Sequence, residues 1–211
     1  MYQHSADIEA YSISHSSEAS PLLQKIERET YLRTLQPNMI SGYVQGQFLA
    51  WFISAMNASK VLEIGTFTGY TTVSIAEKLP DHGVITTLEI NPESHWLANQ
   101  FFAEFSAPNK IKSILGDAME QIESMDETWD FILIDAAKKD NDFYYEKLLP
   151  SLRRGGIIAV DNVLWKGKIL ENLDDKRTQL IDQFNKKVAN DDRVESLMIP
   201  LRDGLTLLRK K

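Results

Sequence analysis

Val61-Leu62-Glu63-Ile64-Gly65-Thr66-Phe67-Thr68-Gly69-Tyr70 is the stretch that decides the fold. An apolar strand runs into a turn with two glycines and then into a helix start. Glycines in such a turn let the backbone approach a ligand closely, and the helix start offers unpaired N–H groups. A dinucleotide site reads GxGxxG, where close glycines and the helix dipole receive a pyrophosphate. Here the spacing is Gly65-x-x-x-Gly69, and Glu63 lies inside the strand, where a carboxylate suits a cationic amino-acid ligand better than a diphosphate. Taken alone, the pattern also fits an α/β turn that needs glycine and binds nothing.

Downstream, short apolar runs alternate with amphipathic stretches. The expected strands are Val61–Ile64, Val84–Ile90, Ile111–Leu115, Phe131–Ile134, Ile157–Val160, Arg193–Ile199 and Thr206–Leu208. Helices are expected near Tyr70–Leu79, Pro92–Phe105, Ala118–Ser124, Asn141–Leu149 and Asp174–Ala189. Such alternation implies right-handed crossovers and a mainly parallel sheet with helices on both faces. Asp203-Gly204 between the last two runs marks a hairpin, hence one antiparallel strand. Upstream, residues 1–20 read as a polar, Ser-rich arm or short helix. Pro21–Asn57 reads as two helices split by the turn Pro37–Gly42. The whole of 1–211 reads as one domain, with 1–57 as arm and helices and 58–211 as the core.

Composition narrows the chemistry. A chain of 211 residues without cysteine has no disulfide, thiol nucleophile or Cys-ligated metal, and its core is large enough to fold without them. The net charge of −7 and the absence of a concentrated basic stretch disfavour a long phosphate backbone as partner. Met1–Asp7 lacks a signal-peptide layout and no run approaches about 18 apolar residues, so the expected location is cytoplasmic, without a membrane span. The four histidines do not cluster in sequence, and no serine sits in a GxSxG elbow, which argues against a hydrolase triad.

The strand ends carry the remaining signals. Glu89 closes the second strand and can accept two ribose hydroxyls. Gly116-Asp117-Ala118 follows the third and can meet an adenine edge. Asp135 and Asp161 end the fourth and fifth runs. On adjacent parallel strands their carbonyl ends would lie about 4.8 Å apart. With Asn162 they make a set of hard oxygen donors suited to Mg²⁺, Mn²⁺ or Ca²⁺. Each aspartate taken singly fits a helix cap equally well. Lys138 lies three residues beyond Asp135, and a lysine beside a cation in a desolvated pocket can act as general base.

Glu63-x-Gly65-Thr66-x-x-Gly69-Tyr70, Glu89, Gly116-Asp117-Ala118, Asp135-Ala136-Ala137-Lys138 and Asp161-Asn162-x-x-Trp165 together resemble the S-adenosylmethionine-dependent, cation-dependent O-methyltransferases of the caffeoyl-CoA and catechol type. The likeness runs from about Pro37 to Leu208. It implies a Rossmann-like methyltransferase fold with a seven-stranded sheet. It also implies that Glu63 and the Gly65–Gly69 loop, with Thr66 and Phe67, hold the methionine part, Glu89 the ribose, and Asp117 and Ala118 the adenine. Met39, Ser41, Thr71 and Asp135 line the same pocket by resemblance, with Thr71 on the carboxylate. Asp135, Asp161 and Asn162 take the metal, Lys138 is the base, and Trp165 borders the acceptor. Ala137 and Asn141 depart from the family, in which an acidic or aromatic residue often stands at the first position and an aromatic one at the second. The resemblance implies a small aromatic substrate and a homodimer. The Asp-Ala-Ala-Lys motif leaves one alternative, a methyltransferase acting on a wobble uridine of tRNA.

Overall fold

The computed structural model describes residues 6–171 and 175–211. His4, the first five residues of the arm and the expected helix start at Asp174 lie outside them. The centre is a seven-stranded sheet in the order β3-β2-β1-β4-β5-β7-β6. Its strands are β1 (Lys60–Ile64), β2 (Val84–Glu89), β3 (Ile111–Leu115), β4 (Trp129–Ile134), β5 (Leu152–Asp161), β6 (Val194–Ile199) and β7 (Leu205–Lys210). Strands β1 to β5 pair in parallel, and β7 runs antiparallel between β5 and β6. The strand order reverses between β1 and β4, which is where open α/β sheets bind ligands beyond the strands' carboxyl ends.

Period-2 burial builds two cores. Val61, Ile85, Phe131, Leu133 and Ala159 face one side, packed by α2 (Pro21–Arg33), α3 (Gly42–Ala55), α4 (Tyr70–Ala76) and α5 (Pro92–Glu104). Leu62, Ile64, Ile132, Ile134 and Val160 face the other. There α6 (Ala118–Gln121), α7 (Asn141–Leu148) and α8 (Lys176–Ala189) cover the sheet. Tyr144 and Tyr145 are both buried in this second core. The arm contains α1 (Ala6–Ser14), and α2 starts at Pro21, where the Ser20 hydroxyl caps it by accepting from Leu23 N at 3.3 Å. Among the described residues no helix is long and apolar enough to cross a membrane.

Six of the seven strands differ from expectation at one end or both, by one or two residues except at the start of β5, which comes five residues early. β5 begins at Leu152 rather than Ile157, because Arg153-Arg154-Gly155-Gly156 reads as a polar turn yet continues the pairing through an irregularity. Trp129 pairs with Leu152 and Phe131 with Ile157 across it, and Gly155 takes φ +74°. Ile90, expected to end β2, lies beyond the strand and is exposed, since Glu89 already turns the chain toward Asn91.

Candidate active site

The turns that follow the strands are aligned by backbone hydrogen bonds. Gly65 N donates to Leu88 O, Gly116 N to Glu89 O and Asp135 N to Ile64 O, each at 2.9 Å. Gly65 adopts φ +101°, and a Cβ there would lie 2.0 Å from the Asp135 carbonyl oxygen, so only glycine permits this approach of β1 to β4. Gly69 adopts φ +84°, and its Cβ would strike the Phe102 ring. The first turn of α4 therefore starts flush against α5.

These turns enclose a cavity of about 890 Å³. Gly65, Thr66, Phe67 and Thr71 line it from the glycine loop and α4, and Glu89, Asp117 and Ala118 from the ends of β2 and β3. Met39 and Ser41 close it from the turn before α3, and Asp135, Lys138 and Asn162 border it beyond β4 and β5. Glu89 is held from both sides, Oε2 accepting from Phe67 N at 2.7 Å and Oε1 from Asn91 N at 2.8 Å. Each oxygen retains a lone pair for a ligand hydroxyl. Asp117 Oδ1 caps α6 through Met119 N at 2.9 Å, and Thr71 donates to the Ser41 hydroxyl at 2.6 Å.

Four expected residues lie outside the lining. Gly69 shapes the loop from behind. Glu63, expected on the methionine part, is 1% exposed under α4, where Oε2 accepts from the hydroxyls of Thr72 and Thr87. The reason is register: Glu63 shares the sheet face of Val61, which α4 covers. Burial, outweighing these two hydrogen bonds, pushes its carboxyl up to about 8, with the negative charges of Asp135 and Glu89 adding to the rise. Asp161 is 3% exposed and lies behind Asn162. Trp165 follows at φ +49°, and its indole N–H is buried and without a partner.

Asp135 and Asp161 do end adjacent parallel strands, one residue past the Ile134–Val160 pair, and neither caps a helix. Lys138 Nζ donates to Asp135 Oδ1 at 3.0 Å. Asp161 Oδ2 accepts from Gln45 Nε2 and Oδ1 from Asn162 N, both at 2.8 Å. Burial and then the facing Asp135 push the Asp161 carboxyl up to about 6, against the opposing pull of Lys138. Among the described residues no three His, Cys, Asp or Glu side chains gather as a metal group. This set is two carboxylates and an amide, and its oxygen donors, with two carboxylates against a single lysine, fit a hard divalent cation. Gln45 is the site residue that sequence reading missed. Its signal is a polar side chain on the stripe Gln45, Leu49, Ile53, all three buried on α3.

The O-methyltransferase family model matches residues 13–211. The caffeoyl-CoA O-methyltransferase of Populus kitakamiensis is 34% identical over 178 residues, covering 79% of this chain and 76% of that protein. The Streptomyces achromogenes O-methyltransferase TomG, solved with S-adenosylmethionine, superposes with a TM-score of 0.89 at 25% identity, over 97% of this chain and 96% of that one. A Bacillus cereus O-methyltransferase, solved with S-adenosylhomocysteine, gives a TM-score of 0.86 at 27% identity, with 97% of each chain covered. With the glycine loop, the Glu89 clamp and the strand order above, these matches make the chain a member of the S-adenosylmethionine-dependent O-methyltransferases of the caffeoyl-CoA family.

Proposed function

We propose that this O-methyltransferase methylates one hydroxyl of a small vicinal dihydroxy aromatic acceptor, with a divalent cation, Mg²⁺ by preference, held by Asp135, Asp161 and Asn162. The observation that carries this reading is the meeting of two carboxylates and an amide on adjacent strand ends beside the cofactor cavity, with Lys138 at 3.0 Å from Asp135. A bound cation would supply Lewis acidity toward two neighbouring acceptor oxygens. Gln45 and the Asn162 N–H hold Asp161 in one orientation before any ligand arrives. Glu89 accepts the ribose hydroxyls, and Asp117 and Ala118 receive the adenine. Lys138 Nζ, an ammonium while it pairs with Asp135, would release a proton to solvent once the divalent charge is in place and then, as the neutral amine, take the proton of the reacting hydroxyl, whose oxygen bonds to the methyl carbon as the carbon–sulfur bond breaks. Charge is dispersed in that step, so alignment is the main contribution of the chain.

The test is methyl transfer from labelled cofactor to a catechol, its matched monophenol and bulk tRNA, each with and without chelator. Turnover of the catechol alone, abolished by chelator and restored by Mg²⁺ or Mn²⁺, is expected. Equal turnover of monophenol and catechol in excess chelator would end this reading, and labelling of tRNA alone would replace it with the nucleic-acid one.

We also propose that the chain pairs with a second copy through α2 and α3, where Tyr31, Leu32 and Trp51 are exposed. Light scattering at micromolar concentration that gives the monomer mass of 24.1 kDa would refute it.

A further inference from the structure

The loop between β6 and β7 joins the Met39–Ser41 turn, which lines the active-site cavity, to the segment that follows the cavity-lining Asn162. On the cofactor side, Arg202 Nη1 donates to the carbonyl oxygen of Ile40 at 2.9 Å and also to that of Ser41. Ser41 lines the cavity and is tied in turn to Thr71 at the start of α4. Beyond β5, Leu164 N donates to Asp203 O at 2.9 Å, Val163 N to Gly204 O at 3.2 Å, and Lys166 N to the Asp203 carboxylate. These amides belong to the first turns of chain after Asn162, on either side of Trp165. Gly204 packs so closely that a Cβ there would lie 2.4 Å from Leu164 Cγ. Arg202 itself adopts φ +49°, a left-handed conformation disfavoured for a side chain of its size. The loop is thus held in a conformation that aims one guanidinium nitrogen at two carbonyls on a different part of the chain.

We propose that Arg202, through Asp203 and Gly204, latches the Met39–Ser41 turn to the Val163–Lys166 segment, so that the turn lining the cavity is held in register with the chain that carries Asn162. Arg202 touches no reacting atom and acts as a positioning residue. The turn it holds carries Met39 and Ser41 over the cofactor cavity, so loss of the latch increases cofactor escape. The adjoining segment loses its anchor at the same time. The inference rests on family membership and on these hydrogen bonds, not on the identity of the acceptor or metal.

Arg202→Gly removes the guanidinium while suiting the left-handed backbone, so the fold is retained. Calorimetry with S-adenosylhomocysteine, which needs neither metal nor acceptor, should show affinity about tenfold weaker in R202G. Arg202→Lys, whose ammonium can also donate to both carbonyls, should stay within about threefold of the parent. Amide hydrogen exchange should quicken in residues 37–42 and in 163–168 together, with the melting temperature unchanged. In turnover assays with any accepted substrate, KM for the cofactor should rise while kcat at saturation changes less than about twofold. Unchanged affinity in R202G, an R202K as weak as R202G, or faster exchange in only one of the two segments would each overturn the latch.

Discussion

The two halves of the site treat their carboxylates differently. Around the cofactor cavity, Glu89 takes two backbone N–H groups, Asp117 takes one and Glu63 takes two hydroxyls. At the ends of β4 and β5, Asp135 and Asp161 face each other, and Lys138 is the cation bonded to Asp135. Donors on the first side come from neighbouring turns and strands and are in place as soon as the sheet forms. On the second side, Asp161 also takes two donors, Gln45 Nε2 and Asn162 N, but folding sets two carboxylates against each other with a single lysine bonded to one of them. The cofactor half is therefore set by hydrogen bonds alone, and the proposed metal half by hydrogen bonds together with two facing carboxylates and one lysine.

Substitutions can break this contrast. The largest expected effect is that of Asp161→Ala, which should abolish cation-dependent turnover while leaving S-adenosylhomocysteine affinity within about twofold. A calorimetric loss of cofactor binding in that variant would show that the halves are not separate. Lys138→Ala should lower kcat by about 10²- to 10⁴-fold, the usual range for a general base, with little change in cofactor affinity. Glu89→Ala should act on the other half alone. Losing hydrogen bonds to a charged acceptor costs about 1.5–3 kcal/mol, so cofactor affinity should fall about ten- to a hundredfold, and titration with Mn²⁺ should give an unchanged metal affinity.

A separate effect is on stability, and its sign follows from Glu63. Its carboxyl rises from an ordinary 4.5 to about 8 on folding, chiefly by burial. Below 4.5 both states hold the proton and the group is neutral in the balance. Between 4.5 and 8 the unfolded chain ionises first, so the native state loses stability as pH rises, and the loss is complete above 8. Glu63→Gln removes this dependence, and thermal melts should show its advantage over the parent growing from pH 5 to pH 8. Parallel pH profiles for the two proteins would mean that Glu63 is ionised in the folded state throughout.

Strand ends were legible because they need only an apolar run and the residue after it. Gly116-Asp117, Asp135 and Asp161 stand where that reading puts them, Glu89 closes β2 one residue before its expected end, and the Asp203-Gly204 hairpin gives the antiparallel strand. Side-chain direction was not legible, because a carboxylate in a strand can face the ligand or the helix above. Glu63 faces α4, and only the packing of that helix decides so. Partners far apart in sequence were equally hidden: Gln45 reaches Asp161 across 116 residues, and Arg202 reaches Ile40 across 162. The irregular start of β5 escaped because Arg153–Gly156 has turn composition while Trp129 pairs with Leu152 beyond it.

Gly65 has a consequence for anyone recombining this scaffold. The glycine belongs to the loop after β1 that lines the cavity, yet the space for its missing side chain is filled by the carbonyl of Asp135 at the end of β4. A chimera that joins the first three strands of one homologue to the last four of another inherits that contact from two parents. Its yield should depend on how well this one backbone crossing matches. Library design aimed at new acceptors can therefore vary Ala136 and Ala137, which border the cavity, but should inherit residue 65 and the end of β4 as a unit.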